Sequence, residues 1–391
     1  MPMVRESLLA TTVAGIRYRY RSNVPKSVST VHRPSRYHTH MIRSDRPIDV
    51  AVIGVGRMGR HHVRIYTDMS QVNLVAVVDA DIERRHALAD EFGCAAFENV
   101  AALLAELGQK ISAISVAVPT KYHAEIASAC LRRGIACLVE KPLASNSDEA
   151  RQLMTLAGQH QTVLQVGHTE RFNPAVQAVA AMDITPRFME VHRVSPMTFR
   201  SLDVGVVMDM MIHDLDIVLK FANAPLVQVD ATGVAVLGEQ EDVANARLMF
   251  ASGCVANLTA SRLALKTERK LRVFSEEAYV SLDYQNRSGV VIRKSGNLEA
   301  LDDVRAQIAR GTDLSDLDYS KLVQVEQLVM GSDNVLDDPL TAELTSFIDT
   351  VRSGGTPEVD AEAGYAAVDA AQQVVESLRT HQWDGLAEPR V

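Results

Sequence analysis

Residues 47–59 read Pro47-Ile48-Asp49-Val50-Ala51-Val52-Ile53-Gly54-Val55-Gly56-Arg57-Met58-Gly59, a short apolar run that stops in glycine. Ile48–Ile53 is apolar apart from Asp49, the pattern of a strand buried on both faces of a parallel sheet. A stretch of helical polarity, Arg57–Met69, follows directly. In that setting the three glycines have separate tasks. Gly54 permits the tight turn, Gly56 lets the backbone approach a pyrophosphate, and Gly59 lets helix and strand pack closely. The helix start adds free N–H groups and a partial positive charge. Asp79 ends the next expected strand, Leu74–Val78, 25 positions after Gly54. A carboxylate there grips the adenosine ribose hydroxyls and repels the extra phosphate of NADP, so NAD is expected over NADP. Arg84 and Arg85, one turn on, work against that preference, and a strand-terminal helix cap for Asp81–Phe92 is the competing reading of Asp79.

Working outward, strand and helix keep alternating. Helices are expected at Val100–Leu107, His123–Arg133 and Asp148–His160, with strands at Ile111–Val118, Ile135–Val139 and Val163–Val166. That alternation demands a parallel sheet covered by helices on both faces. Beyond Gly167 the rhythm changes to strands at Phe188–Val194, Leu226–Val236, Ala244–Phe250, Val255–Ala260, Leu271–Phe274, Tyr279–Asp283 and Val290–Arg293, spaced for hairpins and meanders. One helix, Met208–Phe221, interrupts them, and helices Leu340–Ser353 and Ala361–Thr380 close the chain. The expected class is therefore α/β: an N-terminal doubly wound Rossmann sheet and a C-terminal α+β domain with an open antiparallel sheet. The expected boundaries are 1–46 for an N-terminal extension, 47–168 for the NAD-binding domain, and 169–391 for an α+β substrate domain whose last helices pack back toward the first. The stretch 300–338 is acidic and weakly patterned.

Charge is unevenly placed. Residues 1–46 carry nine Lys/Arg against Glu6 and Asp45, a balance of +7 within a whole-chain formal charge of −9, which leaves −16 for residues 47–391. An acidic body argues against a nucleic-acid partner, since phosphate contact needs a basic face. The basic segment reads as a targeting peptide, a disordered tail, or residues upstream of a true start at Met41; the last two are favoured together. No apolar run reaches the roughly 18 to 20 residues of a membrane-spanning helix. Cys94, Cys130, Cys137 and Cys254 have no CxxC spacing, so neither a disulfide framework nor a zinc site is expected, which suits a reducing cytoplasm.

Three stretches carry chemistry. Glu140-Lys141-Pro142 leaves a buried strand at its carboxyl end, where ligands of such sheets sit. Pro142 restricts the Lys141 backbone toward an extended shape. The lysine can hydrogen-bond a reacting oxygen, or accept a proton where burial favours the neutral amine; an ordinary solvated lysine is the bland alternative. On a helix, Asp209, His213 and Asp216 stand at i, i+4 and i+7, one face. A buried histidine flanked by carboxylates would have its charged form stabilised and suit acid–base work near neutrality. A satisfied core histidine, or a metal site lacking a further ligand, are the alternatives; no metal is expected. Finally, the loops Pro119-Thr120-Lys121-Tyr122-His123 and Gly167-His168-Thr169-Glu170-Arg171-Phe172-Asn173-Pro174 fall at strand carboxyl ends, the expected rim of the site. Arg171 and Asn173 either bind substrate oxygens or a phosphate, or brace the domain junction.

Together these pieces resemble the glucose–fructose oxidoreductase, inositol dehydrogenase and rhizopine catabolism (Gfo/Idh/MocA) family. The matching parts are Gly54–Gly59, Asp79, Pro119–His123, Glu140-Lys141-Pro142, Asp209–His213 with Asp216, and Glu343-Leu344 with Phe347-Ile348 before Gly354-Gly355. The resemblance implies catalytic positions at Lys141, Asp209 and His213. It implies cofactor positions at Gly54, Gly56, Arg57, Met58, Gly59, Asp79, Pro119, Thr120, His123 and Glu140. Lys141, His168, Arg171, Asn173 and His213 are the expected substrate contacts. It also implies an outer sheet face that mediates oligomerisation, hence a homodimer or homotetramer.

The phrases Val166–Pro174 and Val207–Asp216 are similar to the family's UDP-N-acetylglucosamine 3-dehydrogenases. The expectation is an NAD-dependent, cytoplasmic dehydrogenase that oxidises a sugar or sugar-nucleotide hydroxyl to a ketone. His213 would take the hydroxyl proton, Asp209 would orient and charge it, and Lys141 would hydrogen-bond the reacting oxygen. A dehydrogenase of a free sugar or polyol such as myo-inositol, and a non-catalytic NAD-binding sensor, are the alternatives.

Overall fold

The protein is described by a computed structural model covering residues 46–198, 204–295, 298–313, 322–329, 338–381 and 383. The N-terminal extension up to residue 45 and two parts of the acidic stretch, 314–321 and 330–337, lie outside the described residues.

The first sheet is formed by β1 (Ile48–Ile53), α1 (Arg57–Asp68), β2 (Val72–Val78), α2 (Ile82–Phe92), β3 (Ala95–Phe97), α3 (Val100–Leu107), β4 (Ala113–Val116), α4 (His123–Leu131), β5 (Ala136–Glu140), α5 (Ser147–His160) and β6 (Leu164–Gly167). Its order is β3-β2-β1-β4-β5-β6, all parallel. Chain direction across the sheet reverses between β1 and β4. The crevice at their carboxyl ends, beside Gly54 and Ala117–Thr120, is therefore where a ligand is accommodated. The helices start where short polar caps allow it: Asp81, Asn99 and Asn146 each accept an amide from the first turn of α2, α3 and α5. The short edge strand β3 was not legible in the sequence, because three residues carry no period.

The second part comprises α6 (Pro174–Ala180), β7 (Phe188–Val194), α7 (Ile212–Ala222), β8 (Leu226–Val234), β9 (Val243–Phe250), β10 (Val255–Ser261), β11 (Glu268–Phe274), β12 (Ala278–Asp283), β13 (Ser288–Lys294), α8 (Leu298–Ala309), β14 (Val323–Val329), α9 (Pro339–Ser353) and α10 (Ala361–Thr380). Its eight strands run β14-β13-β12-β11-β7-β10-β9-β8. The sheet is mixed: β10 pairs with β7 in parallel, while the other neighbours are antiparallel. The reason is the helix. α7 carries the chain back so that β8 starts in the direction of β7, and the meander β8-β9-β10 then lays its third strand beside β7. Part of the stretch read as weakly patterned forms α8 and β14.

One apolar core runs from one face of the first sheet into the inner face of the second, from Ile53 and Val139 to Met189, Leu258 and Val273. The opposite face of the first sheet packs Val63 and Tyr66 of α1 against Leu344, Phe347 and Ile348 of α9. Fully burying one side chain such as Phe347 contributes about 1.5–3 kcal/mol. The last helices therefore anchor on the nucleotide sheet. Among the described residues no helix is long and apolar enough to cross a membrane.

Candidate active site

At the first crevice the glycines divide as their spacing requires. Gly54 has φ +82°, a conformation other residues rarely adopt, and a Cβ on Gly59 would sit 1.8 Å from the Gly54 carbonyl. A Cβ on Gly56 would meet nothing within 4 Å. Space therefore stays open in front of the α1 N-terminus, whose cap makes no side-chain hydrogen bond. Asp79 Oδ2 accepts the Val55 amide at 2.9 Å, Oδ1 accepts the Asp81 amide at 2.9 Å, and Arg84 pairs with it at 3.3 Å. The carboxylate thus ties the glycine loop to the end of β2. An open cradle, free helix N–H groups and a strand-end carboxylate together fit the pyrophosphate and ribose of a dinucleotide. Arg57 is exposed there, Met58 half-buried, and Pro119 and Thr120 line the β4 end.

His123 and Glu140, both read as cofactor positions, are buried, at 1% and 8% exposure. The His123 ring nitrogens face the carbonyls of Pro142 and Val118, each at 2.8 Å. This imidazole fastens the loop after β4 to the Lys141-Pro142 turn. Glu140 meets His62 Nε2 at 3.1 Å and accepts the Lys141 amide at 3.3 Å. Sequence reasoning missed His62: its signal is a histidine on the buried face of α1, opposite a strand-end glutamate.

Lys141 Nζ reaches across to the helical segment that carries Asp209 and His213, donating to the Asp209 carbonyl at 2.6 Å and to Asp209 Oδ1 at 3.3 Å. That helix begins with a π-turn, Val207–Met211, in which the Ile212 amide bonds back to the Val207 carbonyl. An i→i+5 turn holds one extra residue, so side chains four apart no longer stack. This corrects the expected single face. Asp209 binds Lys141, and Asp216 binds Arg171 at 2.6 and 2.7 Å, so neither is a partner of His213.

The electrostatics change with it. Burial, followed by the positive charges of Lys141 and Arg193, the nearby His168, and Arg269, holds His213 well below the usual histidine range. The expectation that flanking carboxylates would stabilise its charged form is overturned: burial and the surrounding positive charges favour the neutral imidazole, which has a lone pair to accept a proton but is a weaker base than a free histidine. Its Nδ1 is enclosed without a partner among the described residues.

Of the expected substrate contacts, Lys141 and His213 come together. Of the other three, His168 stays against His213, while Arg171 and Asn173 are committed elsewhere. His168 is fully buried, its ring edge-to-face with His213 at 6.4 Å, and burial pushes it below the usual range. Arg171 is 5% exposed and committed to Asp216, and Asn173 caps α6 through the Ala175 amide at 3.0 Å. Arg171 and Asn173 brace the domain junction. Sequence reasoning also missed Arg193, which pairs with Asp214 at 2.7 and 2.8 Å and with Glu170 at 3.1 Å. The signal was available: on β7 it shares the buried parity of Met189 and Val191. No group of three or more His, Cys, Asp or Glu among the described residues could hold a metal.

A dinucleotide cradle beside a lysine and a neutral histidine defines an oxidoreductase acting on CH–OH groups. Comparison with known proteins is consistent with this. Residues 48–168 match an oxidoreductase family model described as an NAD-binding Rossmann fold, and residues 176–281 match the Gfo/Idh/MocA C-terminal domain. The chain belongs to the Gfo/Idh/MocA family, and its cofactor is NAD.

It is 35% identical over 325 residues, 83% of this chain and 95% of the relative, to a UDP-N-acetylglucosamine 3-dehydrogenase of Acidithiobacillus ferrooxidans. An inositol 2-dehydrogenase of Rhizobium meliloti is 26% identical over 62% of this chain and 77% of its own length. Among solved structures, the A. ferrooxidans UDP-N-acetylglucosamine 3-dehydrogenase GnnA superposes with TM-score 0.72 at 32% identity, covering 85% of this chain and 98% of that one.

Proposed function

We propose that this chain oxidises a sugar-nucleotide hydroxyl to a ketone with NAD rather than NADP, the substrate being UDP-N-acetylglucosamine and the oxidised carbon C3. The carrying observation is the pair of groups at the crevice mouth: a Lys141 ammonium held by Asp209 and a neutral His213 on the same helix. The A. ferrooxidans relative supports the substrate. When bound, the nicotinamide accepts the hydride. His213 takes the hydroxyl proton, its surroundings favouring the neutral ring that has a lone pair to accept it. Lys141 hydrogen-bonds the oxygen as it becomes a carbonyl, and Asp209 aims the ammonium rather than charging the histidine. Asp79 favours NAD: its carboxylate stands where a ribose phosphate would be repelled, and Arg84 is already paired to it and to Asp81.

The outer sheet face carries Phe188, Phe274 and Tyr279 in a row with ring centroids 5.4 and 5.0 Å apart, which supports a homodimer or homotetramer through that face. Four free cysteines suit a cytoplasmic setting.

The test is NADH formation from UDP-N-acetylglucosamine, UDP-glucose, myo-inositol and free hexoses, with a glutamate-dependent aminotransferase added to draw off a 3-keto product. UDP-N-acetylglucosamine should give the signal; a signal from a free sugar or polyol alone would refute the nucleotide substrate. Lys141→Met should lower kcat by about two to four orders of magnitude while NAD affinity, read by NADH fluorescence, is unchanged. Near-normal turnover in that variant would remove Lys141 from the chemistry.

A further inference from the structure

The inner face of the eight-stranded sheet carries a polar row that the hydride transfer does not use. Arg193 on β7 and Arg269 on β11 stand directly opposite in register. Tyr284, whose amide donates to the Arg269 carbonyl at 2.9 Å, extends the row by one strand. The row begins beside the catalytic histidine, because Arg193 clasps Asp214, the residue after His213.

Its members are unequally satisfied. Arg193 is buried and has three short contacts, two to Asp214 and one to Glu170. Arg269 shares the inward parity of Leu271 and Val273 but projects past the core, with 47% of its side chain exposed. Its one ion pair among the described residues, to Glu170, is 3.5 Å long and shared with Arg193. The Tyr284 hydroxyl is enclosed and has no partner among the described residues. Arg193 thus takes both nearby carboxylates, Asp214 and Glu170, at short range, and Arg269 is left with one long contact to Glu170.

A half-exposed guanidinium in that state is a receptor for an anion, and its planar fork matches phosphate oxygens. A neutral sugar or polyol held between Lys141 and His213 offers it nothing. A sugar whose anomeric oxygen carries a diphosphate offers two charged groups a few bonds from the reacting carbon. The dinucleotide pyrophosphate has its own receptor at Gly56 and the α1 N-terminus, on the other sheet.

We propose that Arg269 determines specificity by binding the diphosphate of the nucleotide-sugar substrate, with the Tyr284 hydroxyl beside it as a second donor. This rests on the sugar-nucleotide reading above and names the group that would enforce it.

The experiment uses the full chain with NAD bound. UDP binding is titrated calorimetrically, and KM and kcat are measured for UDP-N-acetylglucosamine, in wild type, Arg269→Met and Arg269→Gln. Either substitution should weaken UDP and raise KM by about 10- to 100-fold, with kcat changing far less and NAD affinity unmoved. Two variants guard against one failing to fold, and thermal melting identifies such a failure. Wild type that binds UDP, with both variants binding it equally well, overturns the Arg269 assignment and leaves the sugar-nucleotide reading standing. Variants that lose NAD instead assign the arginine to the dinucleotide. Wild type that ignores UDP but oxidises a free polyol overturns both readings.

Discussion

At the glycine loop of the six-stranded sheet the chain faces an opening, whereas most of the charged side chains against the inner face of the eight-stranded sheet face one another. Gly56 looks into empty space and Arg57 is exposed. In the second region Arg171 grips Asp216 and Arg193 grips Asp214, all four almost fully buried. The same residue types thus do different work according to what covers them. In the first region they wait for a ligand; in the second they pin the catalytic helix to the sheet and the domain junction, which fixes where His213 points. A recognition site need not be rigid in its ligand-facing groups, but it must be rigid in what aims them.

The sharpest way to break that contrast is to remove one half of an internal clasp. Asp216→Ala leaves the Arg171 guanidinium buried without its partner, and losing one member of such a pair costs about 3–5 kcal/mol. Denaturant unfolding should show that loss, with turnover failing because the helix bearing His213 is no longer held. If stability falls by less than about 1 kcal/mol, Arg171 has found another anion or water, and its role as a brace is wrong.

A middle-sized effect tests the open region. Gly56→Leu puts a side chain into space that nothing in the protein fills, so the melting temperature should hold while NAD affinity falls at least tenfold, about 1.4 kcal/mol. Gly59→Ala is the control with the opposite outcome, since its methyl would collide with the Gly54 carbonyl and strain the turn itself. If both variants lose stability equally, the space before α1 is not a cradle.

This contrast also explains what could be read beforehand. The nucleotide region was legible because its requirements are local: a buried strand, three glycines and a strand-end acid lie within 32 residues, from Ile48 to Asp79. The second region was legible as strands and a helix, but not in its pairings. Asp209, His213 and Asp216 looked like one triad because the spacing assumes an unbroken α-helix, and a π-turn is invisible to a 3.6-residue period. The partner of each acid lies 21 to 68 residues away in sequence, on another element, and only the packing decides which arginine or lysine arrives. The parallel β7–β10 pair was hidden for the same reason. Arg193 alone left a trace, as a charge on the inward parity of a strand.

The most gradual effect, and the one that joins the two regions, concerns Glu343. It lies on α9, fully buried, with neither carboxyl oxygen making a hydrogen bond of good geometry among the described residues, although the Thr169 hydroxyl approaches it. Burial, then the nearby Glu140, pushes its carboxyl well above the usual range, while Glu140 itself, against its own burial, is held below by His62 and Lys141. One of the two acids is thus protonated so that the other can stay ionised beneath the Lys141 turn. The sign of the pH effect follows. A folded-state value raised above the unfolded one means that this contribution to stability is complete below the unfolded carboxyl range. It declines as pH rises, because the unfolded chain releases the proton and the folded one keeps it. Glu343→Gln removes that titration and keeps the shape. Its stability relative to wild type should therefore improve with pH above about 4.5, by roughly 1 kcal/mol per pH unit, until Glu343 ionises in the folded protein. Denaturant midpoints for both proteins at pH 5, about 6.5 and 8 would read it. A constant offset across that series would mean that Glu343 is ionised in the fold after all, and that Glu140 owes its charge to His62 and Lys141 alone.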